Sequence, residues 1–346
     1  MRAITISAPG GPEVLEVTEE PQPGIAPDEV LVAVHAAGIN RADLLQRQGF
    51  YNPPPGATTI PGLEVSGTIA EVGPEVTGWK VGDRVAALLT GGGYAEAVPV
   101  PAGQLLPVPE SLSLTEAAAL PEVLATVHSN IVGRAGIQAG EWLLVHGGAS
   151  GIGTAAIQVA RHLGVHVVVT VGSERKAQFC RDLGADAVIN YREEDFVSRI
   201  HEICTHGDGT TGADVILDII GAKYLERNIK ALATDGRLVI IGLQGGTKAE
   251  INLGDLLQPR KTVTATTLRA RPKEQKAQIV AEVVEQLWPA VTAGDIRPII
   301  HETLPLAEAG RGQAALEEGA SIGKVLLIVD EESQTTEAGQ EEDTRS

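Results

Sequence analysis

Hydrophobic and polar positions change their rhythm once along this chain, near residue 140. Before it, apolar and polar residues alternate in short runs: "EVLVAVH" at 29–35, "VSGTIAEV" at 65–72 and "GDRVAAL" at 82–88. Glycines and prolines separate these runs at "APGGPE", "NPPPG" and "TGGGY". Alternation with period two predicts half-buried strands joined by turns. After residue 140 the apolar runs become continuous, and stretches of helical period fall between them. Strands are expected at 141–146, 165–171, 186–189, 213–219 and 236–241, with helices at 152–163, 174–183, 193–204 and 222–233. Uninterrupted Val, Ile and Leu strands alternating with helices imply a parallel sheet covered on both faces. A long amphipathic helix at 273–293 and a strand in "GKVLLIV" complete the pattern.

The stretch "LLVHGGASGIGTAAIQVARHLG" at 143–164 joins the first of these strands to its helix. A turn in that place lets backbone N–H groups and the positive end of a helix meet a pyrophosphate. The dinucleotide pattern asks for glycine at its first, third and sixth positions. Here those are Gly148, Ser150 and Gly153, with an extra Gly151, and the Ser150 hydroxyl is expected to donate to a phosphate oxygen. An acid at the end of the second strand would hold a ribose 2′-hydroxyl and select NAD. That strand runs instead into Val171, Gly172 and Ser173; no acid comes before Glu174, Arg175 and Lys176 follow, and Tyr191 lies after the third strand. Small residues with a cation nearby suit a 2′-phosphate, so NADPH is the expected cofactor. The alternative reading of Arg175 and Lys176 is a solvated first helical turn.

Composition narrows the partners. The 346 residues are 43% hydrophobic, enough for two domains, and no apolar run approaches the length of a membrane span. A net charge of −18 argues against nucleic acid and anionic membranes. The start "MRAITISAPG" lacks the apolar core of a signal peptide, which leads to a cytoplasmic expectation. Cys180 and Cys204, the only cysteines, read as separate reduced thiols. The segment 331–346 holds six acids and one base without apolar periodicity and is expected to be a disordered acidic tail.

The combination of "GINRADLLQRQGFYNPPPG", "IPGLEVSGTIAEVG", "VGDRVAAL", "GGASGIGTAAIQ" and "GKVLLIV", in that order, resembles the zinc-independent medium-chain dehydrogenase/reductases. Within them the resemblance is to the zeta-crystallin-like NADPH:quinone oxidoreductases, nearest their tumour-suppressor-inducible branch. It implies an α/β chain: a doubly wound parallel Rossmann sheet at 123–264 that binds NADPH, and a β-rich GroES-like catalytic domain formed by 1–122 and 265–330. It also implies a small-molecule quinone substrate and a homodimer or homotetramer. Zinc-dependent relatives carry Cys where Asn40 stands and His where Leu63 stands, so no zinc is expected. Without a Lewis acid an alcohol is hard to oxidise, whereas a quinone accepts a hydride readily.

The resemblance also assigns residues. Asn40 lies beside the nicotinamide ribose, Asp43 shares its loop, and Tyr51 walls the substrate pocket with its hydroxyl toward the quinone oxygen. Thr126 is placed on the nicotinamide side, and Ser150, Gly151 and Ile152 at the pyrophosphate. Gly172, Ser173, Lys176 and Tyr191 surround the 2′-phosphate. Gly242 and Leu243 meet the carboxamide, and Leu268 and Arg269 reach the cofactor from the C-terminal side. The competing readings are a helix cap for Asp43, plain packing for Tyr51, and dimer packing for Leu268 and Arg269. An activated-alkene (enoyl) reductase and a non-catalytic NADPH-binding protein stand as alternative functions.

Overall fold

A computed structural model describes residues 1–329; the expected tail at 331–346 lies outside the described residues. The chain divides into two compact units. The first comprises Met1–Glu122, Arg269–Val284 and the described residues from Ile300, and the second Val123–Leu268 with Glu285–Ile299.

The second unit is built on a six-stranded, wholly parallel sheet. Its spatial order is Ala187–Asn190, His166–Val171, Trp142–His146, Ala213–Asp218, Leu232–Ile240 and Thr262–Ala265. From Trp142–His146 the chain first builds outward through two strands, then returns to place Ala213–Asp218 on the other side. That reversal opens a crevice at the carboxyl ends of the two central strands. Leu144, Val168, Ile189, Ile216 and Leu238 from the sheet pack with Phe196 and Ile200 from a covering helix, all buried. The helices Gly151–His162, Glu174–Leu183 and Phe196–Ile203 stand where the helical period placed them. The expected helix 222–233 is shorter: a 3-10 turn at Ala222–Tyr224 precedes Leu225–Ala231, and the strand begins at Leu232.

Two departures from the sequence pattern have local causes. The helix Pro121–Val127 widens into π-helical turns over His128–Arg134, where Asn130 Nδ2 and Ser129 Oγ both donate to the Thr126 carbonyl. The long helix expected at 273–293 is two helices, Lys273–Gln286 and Trp288–Ala293. Pro289 at the start of the second has no N–H to continue the first, and its ring would press on a carbonyl one turn back. Residues 285–299 accordingly belong to the second unit rather than to the catalytic domain expected at 265–330; Gln158 holds the segment there by bonding both the N–H and the carbonyl of Arg297 (both 2.9 Å).

The first unit carries a seven-stranded mixed sheet. Ile300–Pro305, Lys324–Ile328, Glu29–Gly38, Glu64–Val72, Arg84–Leu88 and Leu105–Pro107 follow one another, and Ala97–Pro101 pairs along Glu29–Gly38. Val32, Val34, Val65, Ile69, Val85 and Leu327 form its core around the buried ring of Tyr94. The alternation at 29–35 continues to Gly38, which carries Asn40 to the mouth of the helix Arg41–Arg47. Among the described residues, no helix is long and apolar enough to cross a membrane.

Candidate functional site

In the first unit, Asn40 occupies the cap position of Arg41–Arg47, where the first backbone N–H groups lack helical acceptors. The Asn40 N–H donates to Asp43 Oδ2 (2.8 Å). Asp43 is fully buried, and its carboxylate also accepts from the Gly62 N–H (3.0 Å) and the Tyr94 hydroxyl (3.1 Å). Burial pushes the carboxyl up to about 6 against those hydrogen bonds. The structure thus gives Asp43 a capping role, with both carboxylate oxygens engaged inside the fold.

The Asn40 amide is engaged on both sides. Nδ2 donates to Glu64 Oε1 (2.9 Å), and Oδ1 accepts from Lys324 Nζ (2.7 Å). Lys324 Nζ also reaches Glu64 Oε1 (2.5 Å) and the Ile39 carbonyl (3.0 Å), while Glu64 Oε2 accepts from the Glu122 N–H (2.9 Å). This ion pair is sealed, with side-chain exposures of 5% for Lys324 and 0% for Glu64. Leu63 is buried beside it in sequence, and among the described residues no cluster of three or more His, Cys, Asp or Glu side chains is placed to hold a metal ion.

Tyr51 is half-buried on its proline-stiffened loop. Arg269 lies against it: the guanidinium carbon is 5.4 Å from the ring centroid, and Nη1 donates to the Tyr51 carbonyl (3.4 Å). Nε donates to the Thr90 carbonyl (2.8 Å) and Nη2 to Gln46 Oε1 (2.7 Å). Arg269 is 4% exposed, and these three bonds fix it within the first unit. Leu268 is the last residue of the second unit's main segment and half-buried.

In the second unit, the turn after Trp142–His146 is shaped by glycine for two separate reasons. Gly147 adopts φ 79°, the left-handed region. A side chain at Gly153 would put its Cβ 2.4 Å from the Gly147 carbonyl oxygen, so helix and turn touch through backbone alone. Ser150 caps the helix: Oγ accepts from the Gly153 N–H (3.0 Å) and donates to the Gly147 carbonyl (2.7 Å). Gly151 and Ile152 hold the first two helical positions, whose N–H groups have no acceptor within a helix.

Beneath the turn, His146 is buried between Thr170 Oγ1 (3.0 Å from Nδ1) and Asn228 Oδ1 (2.7 Å from Nε2). Burial pulls its pKa down to about 4, so the ring is neutral, donating from Nε2 to the amide oxygen and accepting at Nδ1.

At the end of the second strand the structure gathers Gly172, Tyr191, Lys176 and Arg192. A Cβ on Gly172 would meet the Tyr191 hydroxyl at 2.5 Å and Arg192 Nε at 3.3 Å. Ser173 caps Glu174–Leu183 by position. Burial, then the charges of Arg175 and Arg192, lowers the pKa of Lys176, which marks a locally electropositive corner. Arg192 was missed from the sequence; its signal was a cation directly after Tyr191. Gly242 and Leu243 lie against the Ile219–Gly221 turn, with an added Gly242 Cβ 2.8 Å from the Ile219 carbonyl and Leu243 54% exposed. Thr126 is buried at the start of the π-helical turns. Both cysteines lie outside this set, in the core, where burial pushes each thiol up to about 12.

Comparison with known proteins identifies the family and the fold. The alcohol dehydrogenase GroES-like domain family matches residues 26–110, and the zinc-binding dehydrogenase family matches 151–285. A mouse quinone oxidoreductase is 33% identical over 95% of this chain and 98% of its own, and one from Pseudomonas aeruginosa 34% over 94% and 99%. The crystal structure of Escherichia coli quinone oxidoreductase complexed with NADPH is 33% identical, covers 95% of this chain and 100% of its own, and superposes with a TM-score of 0.82. With near-complete coverage on both sides, the chain belongs to the quinone oxidoreductase family of the medium-chain dehydrogenase/reductases.

Proposed function

We propose that the protein is an NADPH-dependent quinone oxidoreductase that works without a metal. The observation that carries the cofactor choice is the acid-free end of the second strand, where Gly172 and Tyr191 stand in contact with Lys176 and Arg192 nearby. A 2′-phosphate needs that room and that charge, and a ribose hydroxyl needs neither. The Gly147–Gly153 turn fits the pyrophosphate, because Gly153 brings the helix against the turn backbone without a side chain and Gly151 and Ile152 at the helix start have N–H groups without helical acceptors. Bound NADPH would supply the hydride.

Asn40 is held by Glu64 and Lys324 in one orientation for the nicotinamide ribose. Tyr51 walls the acceptor, its hydroxyl donating to the quinone oxygen as negative charge grows there. The names of the relatives support the acceptor class. The loop "NRADLLQRQGFYNPPPG" supports the tumour-suppressor-inducible branch. A homodimer or homotetramer is supported by Leu253 and Leu257, 69% and 79% exposed, in the segment leading to the edge strand Thr262–Ala265.

The test is an absorbance assay of NADPH and NADH oxidation against 1,4-quinones, phenanthrenequinone and a crotonyl thioester. Quinone turnover with a preference for NADPH is expected; thioester reduction in its place would assign the chain to alkene reduction. Tyr51→Phe should lower kcat and kcat/KM about tenfold, near 1.4 kcal/mol, with NADPH affinity kept. Wild-type turnover in that variant would leave Tyr51 as a wall.

A further inference from the structure

One pair of buried charges has no use in the reading above. Lys276, in the first turn of Lys273–Gln286, is 1% exposed, and Arg269 is 4% exposed. Lysines ordinarily carry the ammonium out to water on a flexible stem. Lys276 instead turns inward and donates to Thr90 Oγ1, while Arg269 Nε takes the carbonyl of that same Thr90 (2.8 Å). The two cations repel, and burial and that repulsion bring Lys276 down to about 8. Among the described residues no carboxylate lies within ion-pair distance of either. The remaining charged and titratable groups that face the pair are Asp43 and Tyr51, felt by Arg269.

A chain with 45 acids and 27 bases has carboxylates to spare, so a buried cation pair without one is costly as a packing device. It becomes favourable when negative charge is created next to it. Tyr51 is the contact that links the pair to the chemistry, since Arg269 lies over its ring and binds its carbonyl.

We propose that Lys276 and Arg269 form a fixed positive site that stabilises the oxyanion formed on the acceptor during reduction. The inference rests on the quinone reductase reading. In that reaction two electrons and one hydrogen nucleus pass from NADPH to the quinone, giving NADP⁺ and the hydroquinone monoanion, which takes a proton from water. The positive site acts on the monoanion and on the transition state leading to it, which is charge stabilisation by groups already in place. It also sets a preference: acceptors whose reduced oxygen is most basic depend on it most.

The experiment uses the full-length chain in single-turnover NADPH oxidation from pH 6.5 to 9.5 with benzoquinone, naphthoquinone and menadione. Wild-type turnover is expected to fall as pH rises through about 8, well above the Asp43 titration at about 6. Lys276→Met should be at least tenfold slower at pH 7, most of all with benzoquinone, whose hydroquinone oxygen is the most basic of the three, and should lack the step near pH 8. Its NADPH affinity should be unchanged, and its melting temperature equal or higher, since an uncompensated buried charge is gone. Lys276→Arg should keep the pH 7 rate and lose the step. A Lys276→Met enzyme with the wild-type rate and pH profile overturns the proposal. So does a loss of rate accompanied by a lowered melting temperature and an unchanged pH profile, which would assign Lys276 to packing. A wild-type chain that reduces none of these quinones with NADPH refutes the functional reading before any variant is assayed, and this inference with it.

Discussion

The two units solve the problem of buried polarity in opposite ways. In the first, the residues around Asn40 are held by formal charges: Glu64 with Lys324, Arg47 with Glu317, and Asp43 beneath its three donors. In the second, the residues under the glycine turn are neutral, with His146 bonded between a threonine and an asparagine. The difference follows what each must meet. A turn that receives phosphates binds them through backbone N–H groups and the helix end, so charge in its floor is unnecessary. A surface against which electrons and a proton are redistributed benefits from charges that cannot move.

The strongest way to break this comparison is to unpair the ionic interior. Lys324→Met leaves Glu64 buried without its cation and Asn40 without its donor, and should cost about 3–5 kcal/mol. Hydrogen exchange should show the loss in strands Glu29–Gly38 and Glu64–Val72 while Trp142–His146 stays protected. Adding Glu64→Gln should recover a large part of it, because the buried charge is then removed as well. Equal loss of protection in both sheets would mean that the units do not differ in this respect.

A smaller effect sharpens the contrast through pH. Asp43 is raised from 3.8 to about 6, so the stability its protonated form contributes is present below pH 3.8 and is lost as pH rises through about 6. His146 is lowered from 6.5 to about 4, so the unfolded chain takes up the proton first and stability is lost as pH falls through that window. The slopes oppose each other, each about 3 kcal/mol over the range at 1.36 kcal/mol per pKa unit. Asp43→Asn should therefore make stability climb more steeply between pH 4 and 6, whatever its offset, and His146→Gln should make it climb less. Denaturant midpoints at pH 4, 5 and 6 measure both, and parallel curves for wild type and variants would show that neither group titrates on unfolding.

The smallest expected effect concerns the corner where the neutral unit does hold cations. Lys176→Ala should weaken NADPH by about ten- to a hundredfold, 1.5–3 kcal/mol for a charge-assisted contact, and leave NADH nearly unchanged. Titration of both coenzymes by fluorescence decides it, and equal losses would make Lys176 an ordinary first-turn residue.

What could be read in the sequence divides along the same line. The glycine turn, the strands around it and the absent acid at Gly172 were legible, because local backbone geometry dictates residue type there. The helix cap at Asn40 and Asp43 was also visible, as an Asn with an acid three residues on. The break before Trp288–Ala293 was marked by Pro289 but hidden by an apolar periodicity that runs through it. Lys324 and Lys276 were not legible. One opens a strand and the other a helical turn, positions where a lysine ordinarily faces water. Their partners, Asn40 and Thr90, lie 284 and 186 residues away along the chain.

The buried thiols have a consequence of their own. Quinones add covalently to thiolates, and a protein that meets them at every turnover risks alkylation by its own substrate. Cys180 and Cys204 are both sealed in the core, where burial pushes each thiol up to about 12 and keeps it in the unreactive protonated form. With no other cysteine in the chain, the surface offers this electrophile no sulfur nucleophile, and the catalyst is built to outlast what it consumes.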